Sequence, residues 1–264
     1  MFKTRLISGI ILVAVALITI MSGGIVLLCT LGAVSLIGMQ ELYRAVGVRD
    51  KSFTSLEIAG YICAVLYYIL LRFQGGEYAP AMMILSIIIF MSVYVFTYPK
   101  HNCDQVMSAY FGFMYVAVML SFIYLTRSMI DGKFIVWLIF LCSWGCDTCA
   151  YCVGMLIGKH KMAPVLSPKK SVEGAVGGAV GAALFAVIYA AATHGPILEY
   201  AIICACGALI SMVGDLGASA IKRNKGIKDY GTLIPGHGGI LDRFDSVIFT
   251  APVIYYLARV LISL

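Results

Sequence analysis

The sequence predicts an all-α fold, a polytopic integral membrane helix bundle of about nine transmembrane helices, and three observations carry that prediction. Of 264 residues, 61% are apolar or aromatic and only 12% are charged, against about 25% charged in an ordinary soluble domain. Mean hydropathy is +0.97. Apolar runs of about 20 residues, the length a bilayer core requires, recur between charged or Gly/Pro-rich breaks. Such a composition excludes a disordered chain, a collagen and a nucleic-acid-binding domain. It also argues against a soluble enzyme, because so few charges cannot coat a surface of this size.

Cutting at those breaks gives spans at 6–22, 24–43, 56–71, 79–98, 106–126, 134–157, 174–193, 197–221 and 245–263. The break Ser22-Gly23-Gly24 is short, so a count of eight stays open. With the amino terminus in the cytoplasm, fifteen of the 19 Lys and Arg residues fall on the inner side, Lys51 among them. Only Arg72, Arg127, Lys133 and Arg259 fall outside. That asymmetry favours nine spans under the positive-inside rule. Lys3 and Arg5 ahead of an apolar run also fit a secretory signal, but a second apolar run follows directly, so a retained anchor is the better reading. The nine cysteines mostly sit inside apolar runs and act as small hydrophobes, not as a disulfide framework.

Chemistry is unevenly spread. Residues 1–133 read as a plain hydrophobic bundle, serving as scaffold, lipid groove and a surface for dimer contacts. Residues 134–264 read as the catalytic region, with two basic cytoplasmic loops. Gly174, Gly177, Gly178 and Gly181 form small-xxx-small pairs, the pattern of close helix packing.

Acids in apolar runs are costly and normally face a cavity, a cation or a partner. Asp147 and Asp215 are such acids; Asp215 precedes Lys222 by seven residues, about 10 Å at helical rise. Asp242 and Asp245 share a face at i, i+3 near a helix amino end, where the dipole favours anions. Together the carboxylates outline a hard-oxygen site of the kind that takes Mg²⁺. Between Asp215 and Asp242 runs a basic, glycine-rich stretch. Lys222, Arg223, Lys225 and Lys228 can neutralise phosphate oxygens. Pro235-Gly236-His237-Gly238-Gly239 lets backbone N–H groups approach an anion. An earlier loop, Ser167-Pro168-Lys169-Lys170, offers hydroxyl and ammonium groups at the membrane surface. The geometry fits an anionic lipid and a polyphosphate meeting at one metal centre.

These stretches resemble the signature of the phosphatidate cytidylyltransferase (CDP-diacylglycerol synthase) family. The resemblance rests on Ser219-Ala-Ile-Lys222-Arg223, on Lys228-Asp229-x-Gly231, and on Pro235-x-His237-Gly238-Gly239-x-x-Asp242-Arg243-Phe244-Asp245. Asp147-Thr148-x-Ala150-Tyr151-x-x-Gly154, Ser167 to Gly174 and Gly214-Asp215-Leu216 extend it. The resemblance implies that CTP and phosphatidate give CDP-diacylglycerol and pyrophosphate, with Mg²⁺ as cofactor, and leaves open whether a monovalent ion such as K⁺ joins it. It implies Asp215 and Asp242 as metal ligands, with Asp245 and Asp147 beside them, and Lys222, Arg223 and His237 as further catalytic residues. It implies substrate contacts at Ser167, Lys169, Lys170, Ser219, Lys228, Asp229, Gly238, Gly239, Arg243 and Asp147. The expected setting is a bacterial inner membrane, with the site facing the cytoplasm, no nucleic-acid partner, and a homodimer compatible with the glycine-lined helices. A secondary transporter and a non-catalytic lipid-binding protein are the rival classes.

Overall fold

The computed structural model describes residues 2–49, 52–236 and 238–262. Lys51 and His237 therefore lie outside the described residues. Among the described residues nine helices run in chain order: α1 Phe2–Ser22, α2 Gly24–Val46, α3 Ser55–Gln74, α4 Ala79–Phe96, α5 Cys103–Arg127, α6 Gly132–Ile157, α7 Val172–Thr193, α8 Ile197–Asn224 and α9 Leu241–Leu261. Eight of them, α2 to α9, are long and apolar enough to cross a membrane. In α1 the apolar stretch Ile7–Ser22 is shorter than those eight. The chain is an integral membrane protein.

The helix boundaries follow local chemistry. Gly23 and Gly24 adopt positive φ and separate the first two apolar helices, so the short break holds. Thr54 caps α3 by accepting from Glu57 N at 3.2 Å, and Asn102 with Gln105 forms a capping box on α5. A difference from the sequence reading is the hairpin between α6 and α7. β1 (Lys161–Ala163) pairs antiparallel with β2 (Ser167–Ser171), Lys161 opposite Ser171 and Ala163 opposite Ser167. A second difference is that α8 runs to Asn224, so Lys222 and Arg223 stand on its last helical turn and not in a loop.

Two compact units form, residues 1–125 with 225–243, and residues 126–224 with 244–264. In the first, Tyr43 donates from its buried hydroxyl to Ala109 O at 2.7 Å. A π-helical turn at Phe113–Val118 interrupts α5, and the Tyr68 hydroxyl donates to Ala117 O in that turn at 3.2 Å. His101, 4% exposed, sits 2.7 Å from Ser55 Oγ through Nε2. Burial, and the neighbouring Lys100 charge, hold its pKa below the ordinary 6.5. The native state then binds a proton less readily than the unfolded chain. Stability should therefore fall as pH drops below about 6.5 and level off under the folded-state pKa. Replacing His101 by Gln should flatten that part of the Tm-versus-pH curve; an unchanged acid slope would refute the assignment.

In the second unit, α7 lies on α6 and α8 through small residues. Gly174, Gly178, Ala182, Ala186 and Ala190, spaced by four, are buried on one face of α7. A Cβ at Gly178 would stand 2.8 Å from Cys146 Sγ and 2.9 Å from Cys146 O. The glycine spacing is helix packing. All nine cysteines are free thiols, four of them buried; Cys146 Sγ and Cys204 Sγ donate to carbonyls of neighbouring helices.

Candidate active site

The acids of the second unit meet because of a glycine. A Cβ at Gly214 would stand 2.8 Å from Asp245 O and 3.0 Å from Phe249 Cβ, so α8 and α9 approach backbone to side chain at that level. Asp215, the next residue, and Asp245 therefore stand on adjacent helices within electrostatic reach, together with Asp147 and Lys222. Asp245 is 8% exposed, and its Oδ1 accepts from Ser246 N at 2.8 Å. Ser246 Oγ in turn meets Ser143 Oγ at 2.7 Å, in the π-helical turn Leu141–Gly145 of α6. Like charges so placed need a cation. Lys170 on β2 supplies one by pairing with Asp215 Oδ2.

A cavity of about 390 Å³ opens at this point. Its walls include Asp147 and Tyr151 of α6, Ser167, Lys169 and Lys170 of the hairpin, and Asp215 of α8. Five of the residues singled out in the sequence thus line one space. The hairpin that presents the two lysines is fastened at its base. Glu173, in the first turn of α7, accepts from Lys159 N and His160 N and pairs with His160 Nδ1. Ser171 caps the same helix by accepting from Gly174 N at 3.1 Å. Ser219, Lys222 and Arg223 lie one to two turns beyond Asp215 on α8.

The signature loop belongs to the first unit. Asp242 is 6% exposed, and its Oδ2 accepts from Tyr230 N at 2.8 Å and Gly239 N at 3.0 Å. Gly238 has φ +86°, and a Cβ there would stand 3.0 Å from Asp242 Oδ2 and 3.4 Å from Asp229. The sequence reads these glycines as offering N–H groups to a substrate anion. The anion that Gly239 N–H meets here is the protein's own Asp242. Ile240 N and Leu241 N are likewise taken, by Glu41 of α2. Asp242 thus has a structural duty in addition to the metal role expected of it. Lys228, Asp229 and Arg243 lie on this loop or at its end. Glu41 was missed by sequence reasoning, because its partners are backbone amides that leave no side-chain signal.

Hard oxygen donors and flanking ammonium groups suit Mg²⁺ in chemical type. Among the described residues no three His, Cys, Asp or Glu side chains converge tightly enough to hold an ion alone. Mg²⁺ asks for less, one or two carboxylates with substrate phosphates completing its shell. Asp215 and Asp245 fit that requirement.

Residues 3–261 match the model of the cytidylyltransferase family. The chain is 34% identical over 258 residues to the phosphatidate cytidylyltransferase of Staphylococcus epidermidis, covering 96% of this chain and 97% of that one. It is 35% identical over 260 residues to the Staphylococcus aureus protein of the same name, with the same coverage. A third similar protein of that name, from Staphylococcus saprophyticus, is 33% identical over 257 residues, again at 96% and 97%. With the whole bundle matched and the acids gathered beside a lysine-lined cavity, the chain belongs to the cytidylyltransferase family.

Proposed function

We propose that this protein is a membrane nucleotidyltransferase that moves the cytidylyl group of CTP onto phosphatidate, giving CDP-diacylglycerol and pyrophosphate. The observation that carries the reading is the cavity in which Lys169, Lys170 and Ser167 face Asp147 and Asp215, in a chain of this family. A phosphate oxygen of the lipid attacks the α-phosphorus of CTP, and pyrophosphate leaves. The protein's part in such a transfer is positioning and charge neutralisation. Lys169, Lys170 and the Ser167 hydroxyl hold the triphosphate, while Lys222, Arg223 and Lys228 hold further phosphate oxygens. Lys170 exchanges its present partner, Asp215, for a phosphate when nucleotide binds. Asp215 and Asp245 would hold Mg²⁺, Asp242 keeps the metal role that the family resemblance implies, and the ion would supply Lewis-acid neutralisation of the phosphates. Asp147 stands beside them as a substrate or second-ion contact, and His237 is the candidate donor to the leaving group. The site faces the cytoplasm of a bacterial plasma membrane, where the basic loops also lie under the positive-inside rule. The glycine-lined helices leave a homodimer open.

Purified protein in detergent should release pyrophosphate from CTP only when phosphatidate and Mg²⁺ are both present, with a cytidine-bearing lipid as product. A phosphorylated lipid without cytidine would reassign the chain to a CTP-using lipid kinase. Solute uptake into proteoliposomes without turnover would reassign it to a transporter.

A further inference from the structure

We propose that Glu41 is a positioning residue for cytidylyl transfer, holding the amino end of α9 in place through both of its carboxylate oxygens. This inference rests on the reaction proposed above. Glu41 lies on α2, in the half of the chain that the sequence presents as scaffold, and is 5% exposed. Its Oε1 accepts from Ile240 N at 3.1 Å and its Oε2 from Leu241 N at 2.9 Å. The backbones of Gly231 and Gly239 close against the same carboxylate, so that a Cβ at either position would displace it. A helix amino end carries unsatisfied N–H groups and a partial positive charge, which an anion satisfies on both counts. A buried carboxylate in turn needs such donors.

The arrangement has a direct consequence for Asp242. Three successive amides at the entrance to α9 are fixed by side chains, Gly239 N by Asp242 itself and the next two by Glu41. The first turn of α9, which carries Asp242, is thereby held from outside the helix by a residue some 200 positions earlier. A neutral amide at position 41 presents one acceptor and one donor, and the donor faces an N–H group it cannot serve. The first turn then loses one of its two anchors without any change in side-chain volume.

The test compares wild type, Glu41→Gln and Glu41→Asp as full-length chains in detergent, with activity expressed per folded molecule. Expected for Glu41→Gln are faster hydrogen exchange of the amides at 239–242 and a kcat lower by about 10- to 100-fold, the worth of one hydrogen bond to a charged group. The KM values for CTP and phosphatidate should stay within about threefold, as for an interaction felt in the transition state. Glu41→Asp keeps the charge at shorter reach and should recover part of the lost kcat. A residue that merely stabilises the fold would lower yield and Tm and leave kcat per folded molecule intact, and that result overturns the proposal. Should Glu41→Gln fail to fold, Glu41→Asp decides: wild-type kcat with wild-type exchange at 239–242 overturns it. A wild-type chain that makes no cytidine-bearing lipid overturns the functional reading itself, whereas an active wild type with undiminished variants overturns only the role of Glu41.

Discussion

Asp215→Asn should lower kcat by about a thousandfold or more, the scale of several kcal/mol of lost charge stabilisation in a metal-assisted transfer. The substitution keeps the shape of the side chain and removes its charge. Lys170 then loses the partner it now holds, and Asp245 loses its neighbouring carboxylate. Folding should survive, because a neutral amide is cheaper than a carboxylate at membrane depth. The measurement is pyrophosphate release per folded molecule over a range of Mg²⁺ concentrations. An Asp215→Asn protein that turns over at the wild-type rate would remove Asp215 from the reaction. Asp245→Asn, on the adjoining helix, should fail in the same way, and the two losses should not add, as expected of groups acting on one ion.

Gly174→Ala should destabilise the second unit by about 1–3 kcal/mol, the usual cost of overfilling a packed contact, and lower activity with it. The added Cβ would stand 2.7 Å from Ala150 O and 2.9 Å from Ser171 Oγ. A carbonyl on a helix cannot move aside alone, so α7 must shift away from α6. The two helices carry the cavity's opposite walls, Asp147 and Tyr151 on α6 and the hairpin running into α7. Gly217→Ala is the contrast, since nothing lies within 4 Å of a Cβ there. It should be tolerated and should raise helix stability by about 0.5–1 kcal/mol. Thermal unfolding in detergent distinguishes the two; equal Tm values would refute the packing argument.

Much of the fold is legible in the sequence, because bilayer thickness imposes a length on every apolar run. The cut after Ser22-Gly23-Gly24 needs only two glycines with positive φ. Asp147, Asp215, Lys169 and Lys170 could be singled out because charge at membrane depth is costly wherever it stands. That they share a cavity was not visible from spacing; it depends on how α6, the hairpin, α7 and α8 pack, since all four line it. The hairpin was hidden for another reason. Its strands of three and five residues contain Pro168 and three lysines, with no alternation to announce a sheet. Glu41 was hidden most completely. It sits beside Arg44 at the end of an apolar run and looks like an ordinary flanking charge, and its real partners are peptide groups near the other end of the chain.

The order in which the units are threaded matters for how the protein is made. The first unit is left after residue 125 and is completed only by residues 225–243. Glu41 therefore enters the membrane with α2 about 200 residues before the amides of Ile240 and Leu241 exist, an interval of about 10–40 s at ordinary rates of synthesis. For that time its carboxylate lacks the two N–H donors that it holds in the folded chain. The first unit is therefore completed only when the ribosome has nearly finished.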